Sequence, residues 1–386
     1  MIRLTTALLT SAALASLLPT ATPAAPATAI DVPAPAKAAA KRTAKPTAKP
    51  AAKAKAGAAK SAAKDRGIPY ATRDDVMRYA DELAARRDLD REWVRQAIGQ
   101  ARFLPQIARL VLPPPAGAAK NWRAYRARFI DPVRIGAGVA FWRANAETLA
   151  RAEQTYGVPA EIIVGILGVE TIYGQQMGGF RVMDALATLA FDFPAAHPRA
   201  RERAEFFRNE LEQFLSLQNR SGIDPFVPHG SYAGAMGMPQ FMPSSWVKYA
   251  VDFDGDGRID LWNSAADAIG SVANYFKTFG WQAGMPATYA VRLDAAPSDK
   301  EALLAPDILP TFSAASFAAR GAQLDEAGRR HTGPLALVEL QNGADEPSYV
   351  AGTENFYVIT RYNWSSYYAM AVLELGRAVA QAREKS

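Results

Sequence analysis

The chain has no cysteine among its 386 residues, which excludes disulfide scaffolds, thiol nucleophiles and zinc sites built from thiolates. Histidine is scarce: His197, His229 and His331 stand far apart, with no His-x-x-x-His pair, and offer no basis for a histidine-built catalytic metal centre. Basic charge is scarce too once the N-terminus is set aside. Residues 1–66 hold 11 Lys and Arg against 2 acids, whereas the other 320 residues carry 33 basic and 36 acidic groups. The body is therefore slightly acidic, and no nucleic-acid partner is expected. The rest is ordinary: 49% hydrophobic residues, with 27 Gly and 26 Pro, suit one large globular domain or two to three smaller ones. Chemistry is left to carboxylates, hydroxyls, amides and aromatic rings.

Residues 1–18 place Arg3 before an apolar stretch of about 15 residues, followed by small residues and prolines, the layout of a secretory signal peptide. Cleavage is expected between Ala15 and Ala29, and the segment is taken as 1–24. The stretch falls short of the ~20 apolar residues that span a bilayer, so no membrane anchor is expected. No cysteine follows it, so a lipoprotein is not expected either, and the chain reads as an exported periplasmic protein. Residues 25–66 are Ala, Pro, Lys and Thr, with the near-repeat T-A-K-P-T-A-K-P-A-A-K at 43–53. This composition lacks the large apolar groups needed to offset ordering entropy and predicts a disordered linker.

From Thr72 onward the body is mainly helical. Thr72 precedes Asp74 and Asp75 at a helix start, and 3–4 spacing of apolar residues predicts further helices over 90–101, 103–110, 121–128, 134–156, 198–218 and 365–383, with a break at Pro113-Pro114-Pro115. Between 285 and 360 the pattern shifts to short β-branched or aromatic runs bounded by Gly, Pro and Asn. T-Y-A-V-R-L (288–293), L-A-L-V-E-L (335–340), Y-V-A-G (349–352) and F-Y-V-I-T (356–360) read as strands of a small β-rich insertion.

The stretch V-P-A-E-I-I-V-G-I-L-G-V-E-T-I-Y-G (158–174) is the most informative. Pro159 suits a first helical position and Gly174 a stop, and the apolar residues between them face all sides, as in a buried helix. Glu170 sits inside it, beside Ile166, Leu167 and Tyr173. A carboxyl group so placed is desolvated, its pKa rises, and it suits a general acid near neutral pH. A buried Glu paired with an arginine is the structural alternative. Glu161 cannot be its catalytic partner, because nine residues of helix separate them by ~13 Å, beyond the spacing of glycosidase pairs.

In H-G-S-Y-A-G-A-M-G-M-P-Q-F-M-P-S-S-W (229–246) glycines and prolines alternate with Met, Phe, Tyr and Trp. Small residues let backbone approach a ligand and aromatic faces suit sugar rings, with Ser231 and Gln240 as orienting groups. A packed loop is the plainer alternative. In D-F-D-G-D-G-R-I-D (252–260) acids fall at loop positions 1, 3, 5 and 9, with Gly257 at position 6, as in the first part of an EF-hand. Asp252, Asp254 and Asp256 would give carboxylate oxygens to one structural Ca²⁺ and Arg258 its carbonyl. Position 12 is Asn263 in place of Glu, so the closing ligand must come from elsewhere, with Asp267 the nearest candidate.

These stretches, with D-A-L-A-T-L-A-F-D-F-P (184–194), D-A-I-G-S-V-A-N-Y-F-K-T-F-G-W (267–281) and F-Y-V-I-T-R-Y-N (356–363), closely resemble the lytic murein transglycosylase B family, in family order from about 72 to 386. The resemblance implies a lysozyme-like helical core with an additional helical domain and a small β-rich insertion. The parts are a helical domain at 67–156, a catalytic core at 157–284 with the calcium loop at 252–267, a β-rich domain at 285–355, and a segment at 356–386 that completes the core. It implies cleavage of the N-acetylmuramic acid–β-1,4–N-acetylglucosamine bond of peptidoglycan glycan strands, leaving 1,6-anhydro ends. Glu170 would be the single acid and then base, and no organic cofactor is needed. By matching motif, Ser231, Gln240, Tyr125, Tyr275, Tyr362, Asn363 and Tyr368 would contact substrate, and Asp252, Asp254, Asp256, Arg258 and Asp267 would hold Ca²⁺. Penicillin-binding proteins are the implied protein partners. A lysozyme-type hydrolase and a non-catalytic wall-glycan-binding protein are the alternatives, and a calcium sensor is a weaker one.

Overall fold

In the computed structural model the chain is described over residues 68–112 and 120–385. The expected signal peptide, the linker and the Pro113–Pro115 break lie outside the described residues.

The stretch around Glu170 forms α7 (Ala160–Thr171), so its numbering needs the helices before it. They are α1 (Asp74–Arg87), α2 (Arg91–Gln100), α3 (Pro105–Leu110), α4 (Trp122–Arg126), α5 (Pro132–Ala144) and α6 (Ala146–Tyr156). Two of these helices differ from expectation. Thr72 belongs to a short 3₁₀ turn, and Arg73 takes the cap position of α1. The helix expected over 134–156 is two helices, because Asn145 leaves helical geometry (φ −123°, ψ 26°) and its side-chain amide donates to the Phe141 carbonyl at 2.9 Å. Asp131 caps α5, accepting from the Val133 and Arg134 amides.

Helix α7 ends three residues before Gly174. Ile172 and Tyr173 both turn left-handed, at φ 51° and 56°. The cause is Thr171, whose hydroxyl donates to the Met238 carbonyl at 2.8 Å and accepts from the Gly174 amide at 2.9 Å. A tertiary contact therefore replaces the next turn of helix.

After it come β1 (Phe180–Arg181), α8 (Val182–Phe191), α9 (Ala200–Ser221), β2 (His229–Gly230), α10 (Pro243–Tyr249) and α11 (Ala265–Thr278). Strands β1 and β2 pair antiparallel. The β-rich part follows as β3 (Thr288–Leu293), α12 (Pro297–Leu304), α13 (Ala314–Ala319), β4 (Ala322–Leu324), α14 (Glu326–Arg329), β5 (Ala336–Asn342) and β6 (Asp345–Gly352). Its sheet is antiparallel in the order β4-β3-β6-β5 and packs a small core of its own around Phe317, Leu303, Leu335 and Ala351.

The chain then returns to the main core as α15 (Glu354–Tyr362) and α16 (Ser366–Glu384). The strand expected at 356–360 is thus a helix. Thr353 caps it by accepting from the Asn355 amide, and Phe356, Ile359 and Thr360 bury one face, which overrides the β-branched local preference.

Helices α7 and α16 form the centre of the mainly helical fold and cross at bare glycine backbone. A Cβ on Gly165 would lie 2.3 Å from the Val372 carbonyl oxygen, and one on Gly376 2.1 Å from that of Glu161. Gly376→Ala is therefore expected to cost about 3 kcal/mol by forcing the pair apart. Denaturant unfolding checks this, and an unchanged midpoint would refute the close approach.

Candidate active site

Glu170 occupies the last turn of α7, half-buried, with its face turned to the first turn of α16. Burial pushes its carboxyl up to about 7, and the hydroxyl of Tyr368 holds it somewhat below where burial alone would put it. That hydroxyl donates to Oε1 at 2.6 Å. Among the described residues no cation pairs with Glu170, so the arginine-locked alternative does not apply.

Tyr368 is itself fixed by the start of α16, where Ser365 accepts from the Tyr368 amide at 3.3 Å. Its ring stacks on Tyr362 with centroids 6.4 Å apart and planes at 13°. Tyr362 donates to the Pro239 carbonyl at 2.5 Å, tying the end of α15 to the glycine-rich loop. Both phenols lie well above their ordinary pKa through burial and the neighbouring Glu170, so they act as neutral donors.

Tyr275 is buried behind Tyr362, with ring centroids 4.9 Å apart and its hydroxyl donating to the Arg361 carbonyl at 2.6 Å. Asn363 follows α15, and its Oδ1 is shielded from solvent without a hydrogen-bond partner. Tyr125 on α4 meets Tyr367 at 5.7 Å and Phe129 at 5.2 Å, and stacks with Trp122 at 6.3 Å. It lies near Tyr368. An aromatic wall thus runs from Trp122 through Tyr125 and Tyr367 towards Tyr368 and Glu170.

The loop at 229–242 is stapled by the two residues expected to orient substrate. Ser231 Oγ accepts from the Ala233 and Ala235 amides at 3.3 and 3.0 Å. Gln240, at φ 51°, donates to the Met177 and Gly237 carbonyls at 3.2 and 2.9 Å. The structure brings this loop to Glu170 through Thr171, whose bond to Met238 sequence reasoning missed. The available signal was a lone hydroxyl directly after Glu170 in an otherwise apolar helix. Glu210 was missed as well. Buried on α9, it accepts from the Ser244 amide and hydroxyl at 2.8 and 2.6 Å, capping α10 and fixing the far end of the same loop.

In the acidic loop, ligand oxygens of Asp252, Asp254 and Asp256 lie within 4.8 Å of one another and are exposed. Asp252 accepts from the amides of Gly255, Asp256 and Gly257, and the left-handed Gly255 (φ 79°) and Gly257 (φ 89°) permit that curl. Arg258 pairs with Asp256 at 3.1 Å. Asp267 stands outside the cluster. It is 1% exposed, and its two oxygens accept from the Phe253 and Asp260 amides, each at 2.8 Å, clamping the two ends of the loop.

A helical core that sets one near-neutral carboxyl beside a row of aromatic side chains is the arrangement of lysozyme-like enzymes of glycan strands. The chain belongs to the transglycosylase SLT domain family, which matches residues 71–377. It is 42% identical over 326 residues to the membrane-bound lytic murein transglycosylase B of Escherichia coli (strain K12), covering 82% of this chain and 86% of that one. Among solved structures, the soluble lytic transglycosylase SltB1 of Pseudomonas aeruginosa superposes with a TM-score of 0.72 at 44% identity, over 80% of this chain and 99% of that one. The E. coli lytic transglycosylase Slt35 in complex with calcium superposes with a TM-score of 0.71 at 41% identity, over 83% and 97%.

Proposed function

We propose that the protein is a lytic transglycosylase in which Glu170 alone carries the proton transfers. Protonated Glu170 gives its proton to the glycosidic oxygen as the bond to the muramyl C1 breaks. The muramyl C6 hydroxyl then bonds to C1 and returns its proton to the Glu170 carboxylate. The product is a 1,6-anhydro end, no water is consumed, and the acid is regenerated. The observation that carries this reading is a carboxyl raised to about 7 by burial, against the lowering hydrogen bond from Tyr368, with no second carboxylate acting on it. Tyr368 orients the acid, and the part-exposed rings of Tyr125 and Tyr362 are the faces offered to sugar rings. Asn363 supplies an acceptor, Tyr275 backs the wall, and Ser231 and Gln240 shape the loop opposite.

Digestion of purified sacculi with mass analysis of the muropeptides tests the assignment. Anhydro ends are expected, and reducing ends would make the enzyme a lysozyme-type hydrolase.

The acidic loop fits a hard divalent cation. Three carboxylates converge, and at ~4 Å each pair repels by about 1 kcal/mol even in water, which a bound Ca²⁺ relieves. Asp252, Asp254, Asp256 and the Arg258 carbonyl would hold it. Asp267 keeps a free lone pair on each oxygen for closing the sphere while it clamps the loop. Its role is to brace α10 and α11 rather than to take part in the reaction. Calcium at about 100 times its Kd is expected to stabilise the protein by about 3 kcal/mol and to do nothing for Asp254→Ala. A parent melting temperature that ignores calcium would refute the site.

We assign residues 67–156, 157–284, 285–355 and 356–386 to the helical, catalytic, β-rich and core-completing parts. Residues 1–24 are assigned to export to the periplasm and 25–66 to a linker, and penicillin-binding proteins are the protein partners assigned. No helix among the described residues is long and apolar enough to cross a membrane.

A further inference from the structure

The β-rich part has a small core of its own, yet its last hairpin reaches beyond it. The tip between β5 and β6 meets the start of α4, the short helix that carries Trp122 and Tyr125. The Gly343 amide donates to the Lys120 carbonyl at 3.0 Å, Asn342 and Asn121 face each other as an antiparallel bridge, and Arg123 pairs with Asp345 at 2.6 Å. The tip is itself braced. The buried Asn342 side chain donates to the Glu346 carbonyl at 2.9 Å and to the Ser348 hydroxyl at 3.2 Å. From the other side, the Tyr367 hydroxyl at the start of α16 donates to the Gln341 carbonyl at 3.0 Å.

Helix α4 has five residues, too few to hold its shape and place unaided. Asn121 caps it by accepting from the Ala124 amide at 3.0 Å. Gly343 lies directly against that cap. It is left-handed at φ 72°, and a Cβ on it would lie 3.0 Å from Asn121 Nδ2. Tyr367 meets the same helix through its ring, edge-on to both Trp122 and Tyr125, with centroids 5.7 Å apart in each pair. The place of Tyr125 is thus set from two sides, and both sides lead to the end of β5.

We propose that the β5–β6 tip is a positioning element for glycan binding, which sets α4 through Asn121 and Tyr367 and so holds the Tyr125 ring where a sugar stacks. Gly343 and Tyr367 are its positioning residues, and they act through Tyr125 rather than on the substrate. This gives the β-rich part a task in binding and not in the chemistry, since Glu170 takes part in none of these contacts. The proposal rests on the reading of Tyr125 as a face offered to sugar rings.

Calorimetric titration of the Glu170→Gln protein with soluble glycan strands freed of peptide tests it, because the strands then stay intact. Gly343→Ala in that background presses a methyl against the Asn121 cap and is expected to weaken binding about fivefold. Tyr367→Phe keeps both ring contacts, removes only the bond to Gln341 and is expected to weaken binding about threefold. It covers the case in which the alanine disturbs the hairpin. With Glu170 in place, both substitutions should raise KM by these factors and leave kcat within about twofold. A merely structural role would lower the melting temperature and leave Kd and KM where they were. That result, a loss confined to kcat, or no glycan binding by Glu170→Gln, overturns the proposal. The muropeptide ends made by the parent decide the assignment of Glu170 separately.

Discussion

Glu170→Gln is expected to lower sacculus turnover about 10³-fold or more, because one carboxyl must act first as acid and then as base, and a carboxamide can do neither. The substitution is otherwise mild. Glutamine has the same shape, its oxygen still accepts from the Tyr368 hydroxyl, and Tyr368 remains stacked on Tyr362. Binding of glycan to the aromatic wall should therefore survive, with the loss confined to kcat. Unchanged turnover would leave the protein as a binder of wall glycan. A comparable loss after Glu161→Gln would move the chemistry to the other end of α7. No such loss is expected, since Glu161 sits about 13 Å along the axis.

The parts of the fold that were legible in the sequence are those set by local pattern. Apolar residues on every side of α7 announced a buried helix, and the acid embedded among them, Glu170, announced a raised pKa. Strand β3 over Thr288–Leu293 follows from its alternating β-branched and aromatic residues. What was not legible depends on partners distant in the chain. The early end of α7 is dictated by a hydroxyl bonded 67 residues away, at Met238. The run at 356–360 has strand composition but is helical, because Thr353 caps it and the main core receives one of its faces. Ser231 and Gln240 were legible as the polar residues of the glycine-rich loop. That their side chains staple the loop required the carbonyls and amides of Met177, Gly237, Ala233 and Ala235 in place. The same holds for Asp267, whose clamp on Phe253 and Asp260 no spacing rule describes.

The acid proposed to carry the reaction should also weaken the fold. In the unfolded chain Glu170 titrates near the ordinary 4.5, and in the folded protein near 7. Between those values the folded state holds a proton that the unfolded state has released, so stability from this group is present below about 4.5 and is lost as pH rises towards 7. At 1.36 kcal/mol per unit the loss is about 3 kcal/mol, complete above the folded value. Glu170→Gln does not titrate. It is therefore expected to match the parent in stability at pH 4 and to exceed it by about 3 kcal/mol at pH 8, measured by denaturant unfolding at both values. Tyr368→Phe separates burial from hydrogen bonding in the same group. Loss of the hydroxyl removes the one contact that lowers the pKa, so the alkaline limb of the activity profile, on which the acid is lost, should move to higher pH. A limb that moved to lower pH, or a Gln variant no more stable than the parent at pH 8, would mean that Glu170 is already ionised at neutrality. The proton would then have to reach the glycosidic oxygen from another group.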